Sequence, residues 1–214
     1  MGQKVNPVSV RLGVNKTWSA SWYAEKRNFG RELIQDIMIR KAVKKALNVA
    51  GLASIQINKS ANKLEIEVAV ARPGVAIGRG GSGIDDLQND LKKRLKMEVE
   101  LKIKEVKKPD LSAAIIARNI ADGIERRQPS KLLIAAAKEK AMLAGAKGVK
   151  IVVGGRINNN AQARQQKDGA GPVPLQMLKA NIDYAEATAE TTEAGLYGIK
   201  VWVYKDNENL NENK

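Results

Sequence analysis

The chain has 214 residues, and its 37 lysines and arginines against 23 aspartates and glutamates leave a net charge of +14. It contains neither cysteine nor histidine, which excludes disulfides, thiolate and imidazole catalysis, and metal sites built on either ligand. At 43% hydrophobic, with three Trp, four Tyr and one Phe, the chain can build a core, but an aliphatic one.

This length suits one large or two small domains. No apolar run approaches the ~18 residues that span a bilayer. Met1-Gly2-Gln3-Lys4-Val5-Asn6 lacks a signal peptide's apolar centre, and Asn6 stands where myristoylation wants Ser or Thr. A cytoplasmic protein with no membrane partner, no cofactor and no metal is expected.

The charge is uneven. It is +8 over residues 1–60, +2 over 61–110, +6 over 111–160 and −2 over 161–214. Clustered excess of this kind is the footprint of a polyanion partner. The bland alternative is a solubility surface.

In chain order, residues 1–17 form a basic tail with Pro7 and Gly13 and no clean period, which reads as an extended arm. From Arg31 to Ala50 the pattern is helical: Met38, Ile39, Ala42, Val43, Ala46 and Leu47 share one face, and Arg40, Lys41, Lys44 and Lys45 the opposite one. Gly51 is a helix stop. Ile55 and Ile57, then Leu64, Ile66 and Val68, alternate with polar residues as strands do, and Ser60-Ala61-Asn62 between them reads as a hairpin turn. A glycine-rich segment from Arg72 to Gly83 leads into a charged helix over Ile84–Lys96, and a strand is expected over Val99–Val106. Lys107-Lys108-Pro109-Asp110 reads as a linker, with Asp110 a candidate N-cap.

The second half opens with two helices. Ile116, Ile120 and Ile124 make one stripe that Pro129 ends, and Ser130–Leu143 is alanine-rich. A short strand over Val149–Val153 follows. Asn158–Gly171 is polar and reads as a long loop or arm. Strands are expected over Asn181–Ala187 and Gly198–Tyr204, and a disordered tail over 206–214. The domains expected are thus an arm (1–17), a first domain (18–106), a linker (107–110), a second domain (111–205) and the tail.

Gly78-Arg79-Gly80-Gly81-Ser82-Gly83 matches the dinucleotide pattern G-x-G-x-x-G, with Glu105 standing 22 positions after Gly83. Against that reading, Pro73 and Gly74 leave only Val75-Ala76-Ile77 for a first strand, and the neighbouring strands have one wet face. Gly78-Arg79-Gly80-Gly81 is also a G-x-x-G turn, through which backbone N–H groups and Arg79 can reach a phosphodiester. It sits inside an α-β-β-α-α-β order, the type II KH arrangement, and RNA binding is the favoured reading over a plain helix–helix turn.

Further blocks carry a specific resemblance. Met1–Pro7 with Arg11-Leu12-Gly13, Arg72–Gly78, Glu125-Arg126-Arg127, Gly145–Lys150, Gly155-Arg156, Val173-Pro174-Leu175, Ile182-Asp183-Tyr184 and Gly198–Trp202 recur in order over nearly the whole chain. Together they resemble the bacterial ribosomal small-subunit protein three family. The resemblance implies an α+β chain: an N-terminal type II KH domain, then a C-terminal α/β domain with two helices on a small mixed sheet. It implies a non-enzymatic structural constituent of the small-subunit head, bound to ribosomal RNA beside neighbouring head proteins, lining the mRNA entry channel and gripping mRNA. A free-standing KH regulator is the alternative; a lysine Schiff-base lyase would need a depressed-pKa lysine, which nothing in the sequence marks.

The RNA-binding residues expected on these grounds are Lys4, Arg11, Lys16, Arg40, Lys41, Lys44, Lys45, Arg72, Gly78, Arg79, Gly80, Gly81, Arg126, Arg127, Lys131, Arg156 and Arg164. About six phosphate contacts would give a slope of log K against log salt near −4 to −5. The chain departs from the family after Glu125-Arg126-Arg127. Leu132 and Ala135 replace two basic residues of the usual Pro-Phe-Arg-Arg-Ala-Met-Lys type run, while Lys131 keeps one. That predicts a weaker helicase-like grip. Gly80 also replaces a common basic loop residue, and Asn158–Gln166 lacks the family's small-and-acidic pattern.

Overall fold

Leu64, Ile66, Val68 and Val70 alternate with polar or small residues, which puts all four on one face of a strand. A computed structural model of the chain, describing residues 4–60, 63–78, 81–95, 97–157, 160–192 and 195–206, buries all four. Residues 207–214 of the tail expected over 206–214, and the turn residues Ala61 and Asn62, lie outside the described residues. The elements in chain order are α1 (Pro7–Val10), β1 (Ala20–Ser21), α2 (Phe29–Leu47), β2 (Leu52–Lys59), β3 (Lys63–Val70), α3 (Pro73–Ile77), α4 (Ser82–Leu95) and β4 (Glu98–Glu105). There follow α5 (Ala113–Glu125), α6 (Ser130–Leu143), β5 (Gly148–Gly155), β6 (Arg164–Ala170), β7 (Asn181–Thr191) and β8 (Gly195–Lys205). They form two compact units, residues 18–107 and residues 1–17 with 108–214.

In the unit of residues 18–107, the order α2-β2-β3-α3-α4-β4 is the one expected. The sheet runs β1-β2-β3-β4, with β2 and β3 antiparallel and the outer pairs parallel. Its inner face, with Ile55, Ile57, Leu64, Ile66, Val68, Val70 and Val99, packs against Ile39, Val43 and Leu47 of α2 and Leu87 and Leu91 of α4. Each such aliphatic contributes about 1.5–3 kcal/mol on full burial. The outer face is wet and self-neutralised: Lys102 pairs with Glu65, and Lys104 with Glu67 at 2.7 Å. Met38 and Ala46, expected on the buried face of α2, are exposed; the helix meets the sheet along the narrower Ile39–Val43–Leu47 line.

In the other unit, α5 and α6 cover one face of a sheet ordered β6-β5-β8-β7. The α+β class expected holds, but every pairing in this sheet is antiparallel rather than mixed. β6 lies where a loop was expected. Arg164-Gln165-Gln166-Lys167-Asp168-Gly169-Ala170 has no apolar period because it is an edge strand, held by its backbone ladder to β5 rather than by buried side chains. α5 begins at Ala113, not at Asp110. Ser112 supplies no side-chain cap, and the Ala113 N–H instead donates to Asp183 Oδ2 on β7 at 3.2 Å.

Residues 4–17 are not a loose arm. Pro7 is buried at the first position of α1, and Arg11 is 1% exposed. Asn6 caps α1 by accepting from the Val8 N–H at 2.9 Å. The segment joins the second unit through Arg11 and Asn15, which donate to carbonyls between Pro174 and Ala180.

Candidate nucleic-acid interface

The glycine loop is built by close approach. Gly78 has φ +75° and Gly81 φ +86°, the left-handed region that favours glycine. A Cβ on Gly78 would lie 3.2 Å from the Gly83 backbone nitrogen. Val75-Ala76-Ile77, the one stretch a dinucleotide fold could have used as its first strand, lies in helix α3, which removes that reading. Val75 and Ile77 are exposed, and Ala76 anchors the short helix in the core. Arg79 and Gly80 lie outside the described residues.

The basic end of α2 abuts the start of this segment. The Arg72 side chain donates to the Val49 carbonyl at 2.8 Å, and its backbone N–H to that of Ala50 at 3.0 Å. Lys41, Lys44 and Lys45 are exposed on α2, the last two in its final turn, where cations complement the helix dipole. Arg40, expected as a phosphate ligand, also has a structural role. It is half-buried, pairs with Asp36 at 2.7 Å and donates to the carbonyls of Ile55 and Ser19, so three of its five N–H donors are engaged within the fold.

Two more expected ligands are wholly or partly buried. Arg11 donates to the carbonyls of Pro7 at 2.9 Å, Leu175 at 3.1 Å, Met177 at 2.8 Å and Ala180 at 2.9 Å. Burial pulls its pKa down from the ordinary arginine value, yet carbonyl oxygens meet the fork in place of a carboxylate. Lys16 is half-buried; burial lowers its pKa, while the Asp183 charge works the other way. Asp183 also takes a 2.9 Å bond from Lys205. Burial pushes the Asp183 carboxyl up, but Lys205, Lys16 and the Ala113 N–H outweigh it and hold it below the ordinary carboxylate range.

Five of the expected cations of this unit converge. α6 lies along β6: Ser130 Oγ donates to Gln166 Oε1 at 2.6 Å, and Lys138 pairs with Asp168 at 2.7 Å. The α5–α6 turn therefore sits at the same end as the turn joining β5 and β6, where Gly155 pairs with Arg164. Four separate segments bring Arg126, Arg127, Lys131, Arg156 and Arg164, all exposed, to that end. The Arg156 side chain donates to the Asn160 carbonyl at 3.1 Å, and its own carbonyl accepts from the Tyr197 hydroxyl at 2.9 Å. Arg127 closes α5 with φ 62°, a conformation that costs a non-glycine residue about 1 kcal/mol or more. Leu132, where the sequence pattern lacks its expected cation, projects at this end 67% exposed.

The sequence reading missed Lys150 and Lys167. They stand on the sheet face away from the helices, and the charge of Lys4 acts on Lys150 there. Strand alternation across β6 could have signalled this, had β6 been recognised.

Two family descriptions match the chain: a KH domain over residues 38–111, and the ribosomal protein S3 C-terminal domain over residues 120–203. Small ribosomal subunit protein uS3 of Alkaliphilus oremlandii is 44% identical over 206 residues, 96% of this chain and 86% of that protein. The uS3 protein of Pelagibacter ubique is 44% identical over 205 residues, 96% of this chain and 90% of that protein. That of Clostridioides difficile is 46% identical over 204 residues, 95% of this chain and 75% of that protein.

Proposed function

The chain belongs to the ribosomal protein S3 family, that of small ribosomal subunit protein uS3, and on that premise we propose that it is a structural, ribosomal-RNA-binding constituent of the small subunit whose cationic end lines the path of incoming mRNA. One observation carries the mRNA reading: Arg126, Arg127, Lys131, Arg156 and Arg164 meet at one end of the second unit although they come from four segments. Backbone phosphate contacts by arginine and lysine position a strand without reading its sequence. A channel for mRNA must accept every sequence, and such contacts meet that need. The first unit supports RNA binding in a different way. Its glycine turn lets the backbone approach a phosphodiester, and Lys41, Lys44 and Lys45 stand exposed on the adjoining helix. Most of the affinity then comes from release of counterions. Neighbouring head proteins are proposed as further partners.

Add-back to small subunits depleted of this protein tests the reading. Wild type and an Arg126→Gln/Arg127→Gln/Lys131→Gln variant are both expected to sediment with small subunits in moderate salt. Subunits carrying the variant should stall more on an mRNA hairpin. Equal passage through the hairpin would remove the mRNA role and leave the ribosomal one. A wild-type chain found in a free pool on mRNA would support the KH regulator instead.

A further inference from the structure

We propose that Lys4, Lys150 and Lys167 form a second phosphate seat, on the helix-free face of the β6-β5-β8-β7 sheet, that takes the backbone of an RNA strand. The proposal rests on the RNA-binding reading above but not on the residues that carry it. Val149, Ile151 and Val153 point into the helix-covered core, so Lys150 and Val152 point the other way. Lys150 pairs across the sheet with Gly169 on β6 and Trp202 on β8, and Lys167 pairs with Val152. The two lysines are thus diagonal neighbours on one face. Gly169 brings no side chain to cover the space between them.

The Lys150 ammonium lies 5.7 Å from the Trp202 ring centroid. The ring holds the cation by its quadrupole without neutralising it. Trp202 is itself fixed by Tyr184, whose ring centroid is 5.1 Å away. Burial, then the charge of Lys4, then that of Lys167, lowers the pKa of Lys150. Among the described residues no carboxylate pairs with any of the three. Asp168 is turned to Lys138 on the helix side, and Glu186 is engaged by the Tyr184 hydroxyl and by Lys200 at 3.7 Å. Among the described residues none of the three lysines forms an ion pair. Three ammonium groups gathered without a counter-charge repel one another, and a bridging phosphate reverses the sign of that interaction. Lys150 is five residues along β5 from Gly155, about 16 Å at 3.3 Å per residue, and Lys167 is three residues along β6 from Arg164, about 10 Å, on the opposite face of the strand, so the seat is distinct from the cationic end.

A salt titration of binding to a small-subunit ribosomal RNA transcript tests the seat. The Lys150→Gln/Lys167→Gln variant should flatten the slope of log K against log salt by about 1.4–1.8. In parallel, wild-type Lys150 should be shielded from acetylation by the transcript and not by the same concentration of inorganic phosphate. An unchanged slope in the variant, or Lys150 equally reactive with and without RNA, overturns the seat while wild-type binding keeps the RNA reading standing. Shielding by inorganic phosphate alone would assign the site to a free anion and overturn the RNA strand as its ligand. A wild-type chain with no salt-dependent binding overturns the RNA reading itself, and the seat with it.

Discussion

Arg11 donates its Nε–H to the carbonyl of Ala180 at 2.9 Å, joining two residues 169 positions apart. Its other donors reach Pro7, Leu175 and Met177, so one side chain pins the N-terminal segment to the turn before β7. Arg11→Ala leaves buried carbonyls without a donor, at an expected cost of about 2–4 kcal/mol. Thermal melting should show it as a loss of about 5–15 °C. The salt slope of RNA binding should stay where it was. A drop near one in that slope would show that Arg11 touches phosphate after all.

Asp183 gives the chain an acid-sensitive joint. Its carboxyl is held below the ordinary range, burial notwithstanding, by Lys205, Lys16 and the Ala113 N–H. A depressed folded pKa contributes stability that is complete above the unfolded value near 3.9 and fades as pH falls through the folded one. Urea midpoints of the wild type should therefore fall between about pH 5 and pH 2. Asp183→Asn should be weaker than wild type at pH 7 by about 1–3 kcal/mol and lose less over the acid range. Parallel curves for the two proteins would remove Asp183 from the acid transition.

Arg127 separates strain from binding. At φ 62°, Arg127→Gly should raise stability by about 1 kcal/mol, since glycine adopts this conformation freely. The same change removes a guanidinium from the cationic end and should flatten the RNA salt slope by about 0.7–0.9. Arg127→Ala should flatten the slope equally without the stability gain. Denaturant midpoints and salt titrations on both variants read the two effects apart.

Leu132 and Ala135 lie in the first two turns of α6. Leu132→Arg with Ala135→Lys should steepen the salt slope by up to about 1.4–1.8 and speed passage through an mRNA hairpin. Added cations near a helix N-terminus oppose its dipole, at about 0.3–1 kcal/mol each, so a slightly lower melting temperature should accompany the stronger grip. Unchanged passage would show that these positions do not meet mRNA.

Periodicity carried far where one face of an element is dry. The alternation in β3 and the Ile116–Ile120–Ile124 stripe of α5 place those elements because each buries one side. β6 escaped the same reading: an edge strand needs only its ladder to β5, and a ladder leaves no mark on side-chain type. The glycine loop was legible because left-handed backbone at Gly78 and Gly81 demands a residue type. The convergence of Arg126, Lys131, Arg156 and Arg164 was not, because it depends on α6 lying along β6.

Charge shows the same division. Composition by itself determined that this is a basic chain without thiol or imidazole chemistry, and the ordered motifs determined its family. Which cations face solvent was decided by the tertiary structure alone. Lys44, Lys131 and Arg126 are exposed, while Arg11 and Arg40 are turned to carbonyls and a carboxylate and Lys16 is half-buried. A side chain's charge is a property of its residue type, whereas its partner is a property of the space around it, and packing brings that partner from up to 169 positions away.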